Sequence, residues 1–469
     1  MLPAINSSRE DDVNAGDTAW VLASAALVML MTPGLAFFYG GMVRAKSVLN
    51  MIMMSFIALA VVSVLWVLYG YSLAFGNDVG GGLLGGGDFL GMKGVVGTLV
   101  GTAPTDANQP WVDGHQIPHL VFIVFQLMFA IITAALISGA IADRAKFWGW
   151  TVFVAVWVTL VYFPVAHWVF NFNGFTGTDF VGGWIATKLQ ALDFAGGTAV
   201  HINAGAAGLA LALVLGKRKG WPRESMRPHN LPFVMLGAGL LWFGWYGFNA
   251  GSALGAGDLA GVAFLTTTVA TAAAVIGWLI VEQFRDGKPT TLGAASGAVA
   301  GLVAITPAAG FVNPMGALAI GFIAGIVCAL AVSLKYKLGF DDSLDVVGVH
   351  LVGGIVGTLL IGFFATTSVN SAGQDGLFAG GGLALLGKQA TAAGVVLVYS
   401  FVLTFIIGWV INKTIGFRAS QEDEVAGIDE AEHAESAYEF STLRSGGSSI
   451  TRNADALATK VAAGSGKEG

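Results

Sequence analysis

Eleven stretches of roughly 20 mostly apolar residues, each long enough to cross a bilayer as a helix, leave this chain little choice of fold. They lie within 19–41, 48–75, 118–141, 147–170, 194–216, 231–251, 259–282, 291–309, 314–335, 346–366 and 390–413. Hydrophobic residues make up 55% of the sequence and charged ones 11%, against ~25% charged in an average soluble domain. A water-soluble core cannot hide that much apolar surface. The expected fold is therefore an all-α integral membrane protein with eleven transmembrane helices. The 67 glycines suit it, because small residues let helix backbones approach closely in lipid. The first sixteen residues, with Arg9, Glu10, Asp11 and Asp12, lack the apolar core of a cleavable signal peptide. They are expected to form an extracellular N-terminal segment.

Lysine and arginine set the expected orientation, because short cytoplasmic loops carry an excess of them. Arg44 and Lys46, Arg144 and Lys146, the run from Lys217 to Arg227, Arg285 and Lys288, then Lys335 and Lys337 fall in alternate loops. The intervening loops and the N-terminus hold only Arg9, Lys93, Lys188 and Lys388. With an odd span count, the N-terminus lies outside and the C-terminus in the cytoplasm. The longest outer connection, 76–117, is rich in glycine and reads either as an ordered cap or as a flexible surface loop. The net charge of −6 says little, since the charges sit in loops and tail. Cys328, the single cysteine, excludes an internal disulfide and offers no thiolate metal site.

Two of the spans share a repeat. Asp193 precedes His201 by eight residues, and Gly205 and Gly208 follow it by four and seven; Asp342, His350, Gly354 and Gly357 reproduce the spacing. At about 100° per residue, these offsets put the glycines near the face of the histidine, where another helix can come close. The histidines lie on spans five and ten. The chain thus divides into two inverted five-helix repeats, about 17–216 and 231–366, followed by an eleventh helix at about 390–413. Such repeats place a substrate path at their interface, near the bilayer midplane.

Ionisable residues inside spans are costly and mark pathways or proton relays. Here they are few: His201 and His350 within spans, His167 near the outer end of span four, and Asp193 at the outer mouth of span five. No Asp, Glu, Lys or Arg falls in the middle of a span, so nothing there can replace the water shell of a metal ion. Two histidines alone are too few ligands for zinc. Imidazole in apolar surroundings stays neutral, offering one N–H donor and one acceptor nitrogen, which suits a small neutral species. Phe125 and Phe129 share a helix face, and Trp242, Trp245, Tyr246 and Phe248 crowd span six beside Asn249 and Ser252. Aromatic stripes are most often packing surface, but a ring at a pore mouth attracts a cation by ~1–2 kcal/mol.

The stretches TPGLAFFYGGMVR (32–44), ALDFAGGTAVHINAGAAGL (191–209), RPHNLP (227–232), GWYGFNAGSA (244–253), GAASGAVAGLVAITPAAG (293–310) and DVVGVHLVGGIVGT (345–358) resemble those of the ammonium transporter family, on its Amt branch. The resemblance runs from about residue 17 to about 440. It implies an eleven-helix protomer in the plasma membrane, a homotrimer with one pore per subunit, and ammonium or ammonia as cargo, with methylammonium as an analogue. By motif position, His201 and His350 match the paired pore histidines, Asp193 the structural aspartate, Phe129 and Phe248 the stacked phenylalanines above them, and Ser252 the hydroxyl of the outer site. Phe125 joins this substrate pathway. The family completes the outer site with a Trp after A-H-x-V; here AHWVF ends in Phe170, and Trp184, beyond an insertion, is the other candidate. Residues 417–440 resemble a cytoplasmic regulatory tail that meets neighbouring subunits and a PII-type signal protein, while 441–469 are expected to be disordered. No enzyme, cofactor, metal or nucleic-acid role is expected. The alternatives are an ammonium sensor of the same fold with little flux, or an Rh-like gas or water channel.

Overall fold

A computed structural model describes residues 13–101 and 116–438. Each apolar run has become a helix: α1 (Ala15–Met42), α2 (Val48–Phe75), α3 (His119–Ile141), α4 (Phe147–Phe170), α5 (Gly197–Leu215), α6 (Leu231–Ala253), α7 (Asp258–Asp286), α8 (Thr291–Ile305), α9 (Pro314–Leu338), α10 (Val347–Phe364) and α11 (Ala384–Thr414). Among the described residues, ten of these are long and apolar enough to cross a membrane; α8, on the eighth expected span, has only 15 residues. Both of its ends have a cause. The Thr290 hydroxyl caps its start by accepting from the Gly293 N–H at 2.8 Å, and Pro307, just beyond its end, cannot continue a helix. Asn14, Asn230 and Asn313 cap α1, α6 and α9 in the same way. Helix α11 starts at Ala384, six residues ahead of its expected boundary.

Helix α5 sits at the centre of the bundle and packs along α11 and α10; α1 packs along α6, and α7 along α8 and α9. Glycine makes the central crossing possible. A Cβ added at Gly205 would lie 2.4 Å from the Leu351 nitrogen, and one at Gly354 would lie 3.1 Å from the Ile202 nitrogen. The glycines in the sequence repeat thus let α5 and α10 meet backbone to backbone beside their histidines.

The described part of the long outer connection is an ordered cap. Leu99 and Val100 (β1) pair antiparallel with Ile117 and Pro118 (β2), Asn77 Oδ1 accepts from Val181 N at 2.8 Å, and the Trp168 indole donates to Leu83 O at 2.7 Å.

The loops at the opposite end hold a buried ionic network. Arg218 pairs with Asp341 at 2.9 Å and with Asp143 at 3.1 Å, and Arg44 reaches the same Asp143 at 3.3 Å. Arg144 donates to Asp341 O at 2.6 Å and to Ser343 Oγ at 2.5 Å. The tail docks here rather than trailing into solvent. Phe417 is fully buried, and two short helices follow, α12 (Gln421–Ala426) and α13 (Ile428–His433). Asp429 accepts from the Leu49 and Asn50 amides at 3.1 and 2.8 Å, and Glu432 accepts from the Phe147 amide at 3.0 Å. Acidic tail residues therefore satisfy the free N–H groups at the starts of α2 and α4. Residues 441–469, expected to be disordered, lie outside the described residues, as do most of 1–16.

Candidate functional site: two cavities separated by a ring pair

Each histidine is held by a carboxylate just upstream. Asp193 Oδ1 accepts from Gly196 N and Gly197 N, both at 2.7 Å, and Oδ2 accepts from Thr198 N at 2.8 Å and from the Thr198 hydroxyl. Asp342 does the same for α10, accepting from Val346 N and Val347 N at 3.1 and 2.7 Å. Both helices then open with a wide π-helical turn, Gly197–Ile202 and Val347–Leu351, that contains the histidine. Such turns are common at functional sites because they re-aim one side chain without ending the helix.

The two histidines, distant in sequence, meet at the centre. His350 Nδ1 lies 3.3 Å from His201 Nδ1, with ring centroids 5.4 Å apart and planes 22° from parallel. His201 also stacks on Trp245 at 5.4 Å, and the Trp245 indole is fixed by donating to Thr306 Oγ1 at 2.8 Å. His201 Nε2 is buried with no hydrogen-bond partner among the described residues. Both histidines line a narrow cavity with Met31, Leu35, Phe38, Ile132, Leu136, Val200, Leu241, Phe248 and Val299. It has about 10 Å³ of room for the centre of a water-sized molecule, enough for about one such molecule.

A second, outer cavity of about 50 Å³ is lined by Phe122, Phe125, Gln126, Phe129, Phe170, Phe172, Phe175, Asp193, Phe194, Ser252 and Leu254. The two are divided by the Phe129 and Phe248 rings, whose centroids are 4.3 Å apart. Phe125 packs edge-on to Phe129 at 4.9 Å. Ser252 donates its hydroxyl proton to Phe248 O at 2.8 Å, so its oxygen is left to accept from whatever enters the cavity. One turn beyond Phe38 on α1, Met42 lines a third cavity with Arg218, Trp221, Glu224, Lys335, Tyr336 and Asp345, at the end where the tail docks.

Of the two candidates for the aromatic wall, Phe170 borders the outer cavity, whereas Trp184 is not among its lining residues. The insertion folds back on itself, with Gly183 N donating to Asn171 O at 2.8 Å and Trp184 N to Gly82 O at 3.0 Å. That turns Trp184 towards Trp168, 6.0 Å away. His167 lies outside both cavities, with its ring nitrogens 3.0 Å from Ala74 O and 3.3 Å from Asp78 Oδ1. Sequence reasoning missed Gln126, Phe172, Phe175 and Phe194. Gln126 and Phe194 adjoin the singled-out Phe125 and Asp193, which was the available signal.

A family model described as the Ammonium Transporter Family matches residues 19–438. The ammonium transporter of Mycobacterium tuberculosis is 62% identical over 435 residues, which cover 91% of each chain. The crystal structure of Candida albicans Mep2 is similar with a TM-score of 0.78 and 34% identity, over 88% of each chain. A structure titled Sensor Amt Protein is similar with a TM-score of 0.77 and 30% identity, over 89% of this chain and 98% of that one.

Proposed function

This chain belongs to the ammonium transporter family, and from that premise we propose that it takes up ammonium in the outer cavity, deprotonates it at the phenylalanine pair and conducts ammonia past His201 and His350. The observation that carries this reading is the contact between the two histidines inside an otherwise apolar cavity, directly behind the Phe129–Phe248 pair. An ion entering that space would lose its water without gaining a counter-charge, at a cost of several kcal/mol. Ammonium can avoid the cost by leaving a proton behind, whereas potassium cannot. In the outer cavity, phenylalanine faces and the Ser252 oxygen favour the cation, and the filled donor shell of Asp193 makes that residue a positioning group.

On this reading the chain crosses the plasma membrane eleven times, α8 being the short crossing, as two inverted repeats plus α11. The N-terminus is outside, the basic loops and tail are cytoplasmic, and the protomer works in a homotrimer. The docked tail is the surface that neighbouring subunits and a PII-type protein would read. The test is transport by purified protein in liposomes under ammonium, methylammonium and potassium gradients. Saturable ammonium and methylammonium flux without potassium flux is expected; absence of ammonium flux, or equal potassium flux, would overturn the reading.

A further inference from the structure

Among the described residues, three polar side chains line the outer cavity: Asp193, Ser252 and Gln126. They differ in what they have left to offer. Both Asp193 oxygens are taken by amides and a hydroxyl of its own helix start. Ser252 has spent its proton on Phe248 O and retains acceptor capacity. Gln126 is 9% exposed, and no hydrogen bond, to any group, holds its amide among the described residues. Neither amide atom of Gln126 is among the buried, unpartnered ones, so the amide is open to the cavity that it lines. On α3, the neighbours Phe125 and Phe129 fix the backbone that carries it, and their rings close the floor of the cavity.

We propose that Gln126 is a specificity-determining residue whose side-chain carbonyl oxygen accepts a hydrogen bond from the ammonium ion in the outer cavity. The inference rests on the transport reading above. An ammonium ion directs four N–H bonds tetrahedrally. The Gln126 and Ser252 oxygens take two of them, and phenylalanine faces take the rest through their negative quadrupoles. A potassium ion of the same charge is also drawn to these oxygens, but it has no N–H bonds to direct at them and finds too few oxygens to replace its water. Selection for N–H-bearing cations thus begins in the outer cavity, ahead of deprotonation. The amide oxygen also carries no formal charge, so it holds the ion without trapping it.

The test is ammonium flux in liposomes over a range of concentrations, for the wild type, Gln126→Leu and Gln126→Glu. Losing one charge-assisted hydrogen bond should raise the half-saturating ammonium concentration of Gln126→Leu roughly ten- to hundredfold. Maximal flux should change far less, because the bond is made to the waiting ion. Gln126→Glu should lower the half-saturating concentration and make potassium a competitor. A merely structural glutamine would instead lower maximal flux and thermal stability and leave half-saturation alone. Wild-type half-saturation in Gln126→Leu, or no gain of potassium competition in Gln126→Glu, would overturn the proposal. If the wild type itself carried no ammonium, the transport reading would fail, which is a different result.

Discussion

The Nδ1 atoms of His201 and His350 stand 3.3 Å apart, so two neutral rings can share this contact only if one Nδ1 carries the proton and the other is bare. The ring with Nδ1–H has a bare Nε2, and its partner has Nε2–H. A pair of like residues therefore presents unlike outer nitrogens, one accepting and one donating. A molecule with both capacities, such as ammonia or water, meets complementary groups in sequence.

Replacing either histidine by Ala breaks this arrangement at the other ring as well. Loss of a polar partner worth about 1–3 kcal/mol should slow ammonium flux roughly five- to a hundredfold. The check is single-variant transport in liposomes with thermal unfolding of the same preparations. Wild-type flux and potassium exclusion in both variants would make the pair structural. Aspartate or glutamate at either position should keep conduction in some variants but admit potassium.

At the outer cavity, Phe170→Ala should raise the half-saturating ammonium concentration about five- to thirtyfold, the equivalent of one cation–π contact of ~1–2 kcal/mol. Trp184→Ala should not, because Trp184 packs on Trp168 beyond the lining. Concentration-dependent uptake by the two variants decides the matter, and the reverse order would return the role to Trp184.

Truncation after Ala419 removes the Asp429 and Glu432 carboxylates from the starts of α2 and α4 but keeps the buried Phe417. Each lost cap costs about 1 kcal/mol. The helical core should stay folded while uptake falls. Full uptake by a normally expressed truncation would show that docking does not matter for transport.

The ionic network predicts a pH dependence. Burial alone pushes the Asp341 carboxyl up, but the hydrogen-bonded Arg218 guanidinium, aided by Arg144, outweighs burial and holds it below the ordinary carboxylate range. For a lowered carboxyl, the stabilisation is present above the unfolded-state value and is lost as pH falls through the folded one. Asp341→Asn should cost about 3–5 kcal/mol at pH 7, the usual range for one partner of a buried pair. Thermal unfolding against pH should show that gap persisting down to the ordinary aspartate range of about 3.9 and closing below it. A gap that closes above pH 5 would contradict the ordering.

The helices could be read in advance because each is an unbroken apolar run, and in lipid such a run has one way to satisfy its backbone. The histidine pair was legible through the Asp193 and Asp342 spacings. What was not legible depends on irregular backbone. Nothing periodic in residues 171–183 reveals the reversal that turns Trp184 towards Trp168. The π-helical turns around the histidines leave no residue signature. Gln126 reads as one polar residue on an apolar helix until the fold sets it in the lining of the same cavity as Ser252. The acidic stretch 422–432 looks like a solvated tail until α2 and α4 supply it with free amides.

The close approach at Gly205 and Gly354 also bears on how fast the protein can work. A carrier that rocks between two faces needs slack where its halves meet, and each cycle waits on that motion. Here the two backbones approach closely beside the histidines, and parting them would open a void in a tightly packed part of the bundle. On the proposed reading, the aperture works as a fixed sieve. Its throughput should follow the occupancy of the outer cavity and level off as that cavity fills, without waiting on a motion of the two halves.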